Sequence, residues 1–152
     1  MITFCYVIYD VFCYGGEKKV LLKDYSEEQI KNLIESIKDC VRENRYTISL
    51  EDNKLENIQF MQEYNINEKK RINILFNLYY KDFCYGLQNL KDGVEENNLY
   101  IFCVQRELYN IEDKKELVDI YLKFNIICNE AEEYRILVSL HKRNKPITYV
   151  FK

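Results

Sequence analysis

The C-terminal third of the chain alternates apolar and polar positions. Two runs, Asp119–Cys128 and Tyr134–Lys142, are separated by the acidic turn Asn129–Glu133. Successive side chains of a strand point to opposite faces. Ile120, Leu122, Phe124 and Ile126 therefore share one face of the first run, and Tyr121, Lys123 and Asn125 the other. The second run ends in Ser139, Leu140 and the only histidine, His141, followed by Lys142, Arg143 and Lys145. Paired as a hairpin, these strands are expected to set Tyr121 and Lys123 near His141 on one side of a sheet. Such a set can handle a phosphate, and it is also common on an ordinary half-exposed sheet face.

The same patterning places the remaining elements. Ile2–Cys13 has the aromatic and β-branched content of a strand, Gly15-Gly16 signals a turn, and Lys19–Lys23 can return as a second strand. Ser26-Glu27-Glu28-Gln29 is a capping box, and Ile30, Leu33, Ile34, Ile37 and Val41 follow at helical spacing to an end near Asn44. Arg45–Leu50 is expected to be a link or short strand. Asp52 can cap a second helix with Leu55, Ile58, Phe60 and Met61 as its apolar contacts. Asn65-Ile66-Asn67 breaks it, and Asn67 caps a third helix carrying Ile72, Leu75, Phe76 and Tyr79 on one face. Alternation then marks Asp82–Leu90 and Leu99–Leu108 as strands around a loop at Lys91–Asn98, where Asp92-Gly93 signals a turn. A charged loop, Tyr109–Lys115, leads to the hairpin, and Ile147–Phe151 is a tail or edge strand. The expected fold is α+β: an antiparallel sheet of four to six strands with two or three helices on one face. It forms one domain, with residues 1–23 as an N-terminal hairpin extension, 26–80 as a helical half and 81–152 as the sheet.

Composition narrows the function classes. The 152 residues carry 22 basic and 25 acidic side chains, a formal net charge of −3, so an extended duplex-binding surface is not expected. The local basic patch near the end of the chain, Lys142, Arg143, Lys145 and Lys152, suits a short single strand instead. The six cysteines form no Cys-x-x-Cys pair and have one histidine to assist them, so neither a metal site nor a cofactor is expected. They fit reduced thiols of a cytoplasmic protein. The opening run ITFCYVIYDVFC lacks a basic start and carries Asp10, so it is expected to be neither a signal peptide nor a membrane span. Gly15-Gly16 is not followed by Gly-Lys-Ser/Thr, and no HExxH motif or nucleophile elbow occurs. The acidic and basic residues of the first helix, Glu27, Glu28, Glu35, Lys31 and Lys38, form a mixed face that suits either solvent or a docked protein.

A helix-rich half followed by DFCYGLQN, LYIFCVQ, VDIYLKFNI and ILVSLHKRNKP resembles the MqsR family of toxins, mRNA interferases of toxin–antitoxin modules with a RelE-like RNase fold. The resemblance runs from about Asn53 to Lys145 and is sharpest at Ile120–Phe124 and Ile136–His141, with Asp82-Phe83 a third anchor. It implies a metal-independent endoribonuclease acting on single-stranded mRNA and restrained by a cognate protein antitoxin. Tyr121 falls on an active-site tyrosine of the family and Lys123 on the neighbouring strand lysine. His141 and Tyr85 fall where a member has a catalytic and a functional lysine. Either Gln105 or Gln88 can take the place of the family's active-site glutamine, and Ile2–Lys23 has no counterpart.

Metal-free RNA cleavage needs a base for the 2′-OH, a cation for the phosphorane and an acid for the departing 5′-oxygen. An imidazole, with an unperturbed pKa near ~6.5, can act as acid or base, which puts His141 in that role. Lys123 can supply fixed charge, and Tyr121 or Tyr85 a hydrogen bond or a stacking face. Lys142, Arg143, Lys145 and Gln105 are the expected RNA contacts. The alternative is a non-catalytic relative that binds a protein or RNA partner, such as a defence or anti-defence inhibitor. The N-terminal hairpin is expected to lie outside the site.

Overall fold

The computed structural model of the protein describes residues 9–14, 17–49, 54–91, 94–128 and 133–152. Strands β1 (Tyr9–Tyr14) and β2 (Glu17–Leu22) precede helix α1 (Glu27–Arg42), strand β3 (Tyr46–Ile48) and helices α2 (Lys54–Glu63) and α3 (Glu68–Phe76). A single 3-10 turn, Tyr80–Asp82, then leads into β4 (Phe83–Lys91), β5 (Val94–Tyr109), β6 (Lys115–Cys128) and β7 (Tyr134–Lys142). The strands form one sheet in the order β1-β2-β4-β5-β6-β7-β3. All neighbours are antiparallel except β3, which runs parallel to β7 with Tyr46–Ile48 opposite Ile136–Val138. The fold is α+β, with seven strands where four to six were expected, because the Arg45–Leu50 link supplies one and β1–β2 join the sheet beside β4.

Local chemistry accounts for the helices. The Ser26 hydroxyl accepts from the Gln29 amide and the Gln29 side chain accepts from the Ser26 amide, so the capping box is formed. Ile30, Ile34, Ile37 and Val41 of α1 are buried, and Asn44 (φ 55°) turns the chain out of the helix in a left-handed conformation that asparagine tolerates. Asn67 caps α3 through the Lys70 amide. Asp52, Gly15-Gly16, Asp92-Gly93 and the first eight residues lie outside the described residues.

Three expectations change. Leu55 of α2 is 73% exposed, and Asn57 and Phe60 carry that helix's burial, because α2 packs against a strand edge as well as a sheet face. In α3 the buried pair is Ile74 and Leu75. Asn77 ends the helix before Tyr79, which stands exposed. The expected loop Lys91–Asn98 is mostly strand: β5 starts at Val94, and Asn97 and Asn98 sit opposite Asn89 and Gln88 in the ladder. A polar run satisfied by ladder hydrogen bonds looks like loop in a sequence.

The helices cover one face of the sheet. There Phe83, Phe102, Val104, Ile120, Leu122, Phe124, Val138 and Leu140 meet α1, α2 and α3 in the main core. Phe102 makes edge contacts with Phe83 at 5.3 Å and Phe124 at 5.6 Å between ring centroids. The opposite face has a smaller cluster, Cys84, Ile101, Cys103 and Tyr121, packed under Ile147 and Tyr149. Residues 143–149 cross this face as a tail, not a strand, and Val150 and Phe151 then reach the main core. The Arg143 amide donates to Asp119 O (2.8 Å), the Tyr149 hydroxyl to Cys103 O (3.3 Å) and the Val150 amide to Phe83 O (3.2 Å). No helix among the described residues is long and apolar enough to cross a membrane.

Candidate functional site

The β6–β7 register builds the site. Tyr121 lies directly opposite His141, and Lys123 opposite Ser139, so all four side chains share the helix-free face. The Tyr121 and His141 rings stack, with centroids 4.9 Å apart and planes inclined by 23°. On the other side, β5 puts Cys103 opposite Tyr121 and Ile101 opposite Lys123, and β4 puts Tyr85 opposite Ile101. Tyr85 thereby comes beside the Tyr121 hydroxyl. The tail completes the group by setting the Lys145 ammonium over the Tyr121 ring, 5.1 Å from its centroid.

One partner was not foreseen. Helix α2 runs along the part of the β7 edge that β3 leaves open, where the Leu140 amide donates to Asn57 Oδ1 (3.0 Å). One residue earlier on that helix, Glu56 places Oε2 3.4 Å from His141 Nε2. His141 Nδ1 lies 2.7 Å from the carbonyl oxygen of Lys142. Acceptor oxygens therefore face both ring nitrogens, and the residue is only 4% exposed. Tyr121 is equally covered, and burial followed by the neighbouring Tyr85 phenol pushes its hydroxyl well above the ordinary tyrosine range. Such a phenol stays protonated and serves as a donor, not a base.

The other expected residues separate. Lys142 faces the helices: its ammonium meets Glu63 (3.0 Å) and lies over the Tyr64 ring (5.1 Å). Donating to the Tyr64 and Glu63 oxygens holds its pKa above the lysine norm. Arg143 is paired with Asp119 (3.2 Å), which also accepts from Gln105 (3.0 Å). Gln105 shares the Tyr121 face through its place opposite Asp119, whereas Gln88, opposite Asn98, lies on the other face beside Gly86 and is nearly buried. Ser139 is 1% exposed, and its hydroxyl meets no hydrogen-bond partner among the described residues. Among the described residues no three His, Cys, Asp or Glu side chains gather as a metal site would require.

The thiols beneath the tail supply a pH test. Cys84 and Cys103 are free and buried there, as is Cys40 in the main core. Burial pushes the Cys84 thiol up to about 12. A raised folded-state value means the stabilisation is full below the unfolded thiol's value of ~8.5 and is lost as pH rises toward the folded one. Stability against urea should therefore hold level up to about pH 8.5 and then fall, because the unfolded chain releases a proton that the folded chain keeps. Cys84→Ala should remove one proton's share of that slope in denaturation curves at rising pH. An unaltered slope would assign the fall to other groups.

In chemical terms the site is a closed donor–acceptor cluster of imidazole, two phenols, a carboxylate and an ammonium, assembled by four strands, one helix edge and the tail. Comparison with known proteins adds nothing to this geometry: no family model matches the chain, and no curated protein or solved structure matches it.

Proposed function

We propose that this protein is a binding module that keeps a toxin-like α+β sheet without using it to cut RNA. The observation that carries this reading is the state of His141. A general acid or base must reach the proton it transfers at about hydrogen-bond distance. Here the ring is 4% exposed, stacked on Tyr121, and faced at both nitrogens by Lys142 O and Glu56. The basic end of β7 points the same way, since Lys142 and Arg143 spend their charge on Glu63 and Asp119. The test is to induce the protein alone in a bacterial host and to incubate purified, folded protein with long single-stranded RNA. Growth without arrest and intact RNA are the expected results. Cleavage that disappears with His141→Ala would overturn the proposal.

A second reading is favoured by a separate observation. Tyr121, Tyr85, His141 and Lys145 do converge, and these are the group types that metal-free transesterification uses. In this reading the protein is a cytoplasmic MqsR-like endoribonuclease held by an antitoxin, and the tail must lift for single-stranded mRNA to enter. His141→Ala should then cut the rate by roughly a hundredfold or more. Tyr121→Phe and Lys123→Ala should also slow it.

A further inference from the structure

We propose that the groove between α3 and the end of β5 binds the phosphodiester backbone of single-stranded nucleic acid. This inference rests on the binding reading above and places its ligand away from the His141 face. The groove has a volume of about 470 Å³, and Asn67, Lys69, Lys70, Asn73, Arg106 and Tyr109 supply its polar and aromatic lining.

The first argument is where uncompensated positive charge lies. The chain is net acidic, and several cations elsewhere sit within ion-pair distance of a carboxylate, among them Lys31 with Glu27, Lys38 with Glu35, Arg42 with Asp39, Lys142 with Glu63 and Arg143 with Asp119. None of the three groove cations does. Lys69 is exposed with no partner among the described residues, and Lys70 has one long contact to Tyr64 O (3.4 Å). The one carboxylate lining the groove, Glu107, is taken up by Lys115 (2.9 Å). Three cations with no carboxylate at ion-pair distance among the described residues therefore line one groove.

The second argument is preorganisation. Arg106 is half-buried, and its guanidinium donates to Gln105 O (2.9 Å) and Asn77 O (2.8 Å), which fixes its plane without cancelling its charge. A guanidinium has five N–H donors, so donors remain for a phosphate. Lys69 and Lys70 stand in the first turn of α3, where the positive end of the helix dipole adds to their charge. Tyr109 is 56% exposed and borders the groove at the end of β5, within reach of a base of the bound strand. Three cations and one ring match a few nucleotides of a flexible strand. They are too few for the footprint of a duplex.

The experiment is fluorescence anisotropy with a labelled oligouridylate of about twelve nucleotides, within the length one such site accommodates, titrated with the full chain at several salt concentrations. Parallel arms use single-stranded DNA of matching length and an RNA duplex. Lys69→Glu with Lys70→Glu should weaken single-strand binding tenfold or more. Lys69→Ala with Lys70→Ala should flatten the salt dependence by about 0.7 per cation removed. Tyr109→Ala should weaken binding about fivefold or more. Lys31→Ala, on α1, should change it less than twofold. Both lysines are exposed, so unchanged melting of these variants separates lost binding from lost folding. No single-strand binding at low salt, equal affinity for the duplex, or a larger loss from Lys142→Ala and Arg143→Ala than from the groove variants would each overturn the assignment. RNA cut by the intact protein would overturn the non-cleaving reading, and the groove would still stand if the binding results held.

Discussion

Ile147→Ala combined with Tyr149→Ala is expected to lower stability by about 2–4 kcal/mol and to uncover the helix-free face of the sheet. Both side chains are half-buried against Cys84, Ile101, Cys103 and Tyr121. Tyr149 also gives its hydroxyl to Cys103 O, a bond that alanine cannot make. The loss should appear in urea denaturation, and the uncovering in a separate measurement. Cys84 and Cys103 are 0% and 1% exposed, so a thiol reagent should label them at least tenfold faster in the double variant while the protein remains folded. A wild-type labelling rate in a folded variant would mean that other residues cover the thiols. The variant also separates the two functional readings. If the tail is all that keeps RNA from Tyr121 and His141, cleavage should emerge when it loosens. If the cluster is packing, the variant should be less stable and remain inert.

The parts of this architecture that were legible in the sequence are those where one periodicity acts alone. Alternation from Ile120 to Ile126 fixed both faces of β6, and β7 spans Tyr134–Lys142 as expected. The pairing of Tyr121 with His141 follows from that register. The capping box at Ser26 and the cap at Asn67 were legible for a similar reason, since a short polar side chain before an apolar stripe meets an orphan amide. What the sequence hid depends on contacts between distant segments. Nothing around Glu56 points to a histidine 85 positions later (141 − 56), and Lys69 gives no sign of sharing a groove with Arg106. Likewise Lys142 and Arg143 look like a basic patch until Glu63 and Asp119 are placed beside them. Ile147–Phe151 was expected as a tail or edge strand, but only the structure places Lys145, Ile147 and Tyr149 over the candidate site.

Asn57→Ala is expected to cost about 2–5 kcal/mol, a large effect for one polar residue on a helix whose apolar stripe is weak. Asn57 is 0% exposed and joins two segments. Its Nδ2 donates to Ser49 O (3.2 Å), just past β3, and its Oδ1 accepts from the Leu140 amide (3.0 Å), where β7 has no further strand beside it among the described residues. The side chain thus completes a sheet edge as a neighbouring strand would. Alanine leaves a donor and an acceptor without partners in a place water does not reach, at about 1–3 kcal/mol each. Leu55→Ala, two residues earlier and 73% exposed, should stay within about 0.5 kcal/mol of the parent. Hydrogen exchange gives a local readout, because the Leu140 amide should lose protection beyond what the global loss explains. The same helix carries Glu56 to His141 and Glu63 to Lys142, so its loosening should free both pairs together. If Asn57→Ala were as stable as Leu55→Ala, the edge-completing role of this side chain would be refuted, and α2 would be held by Phe60 and its apolar neighbours alone.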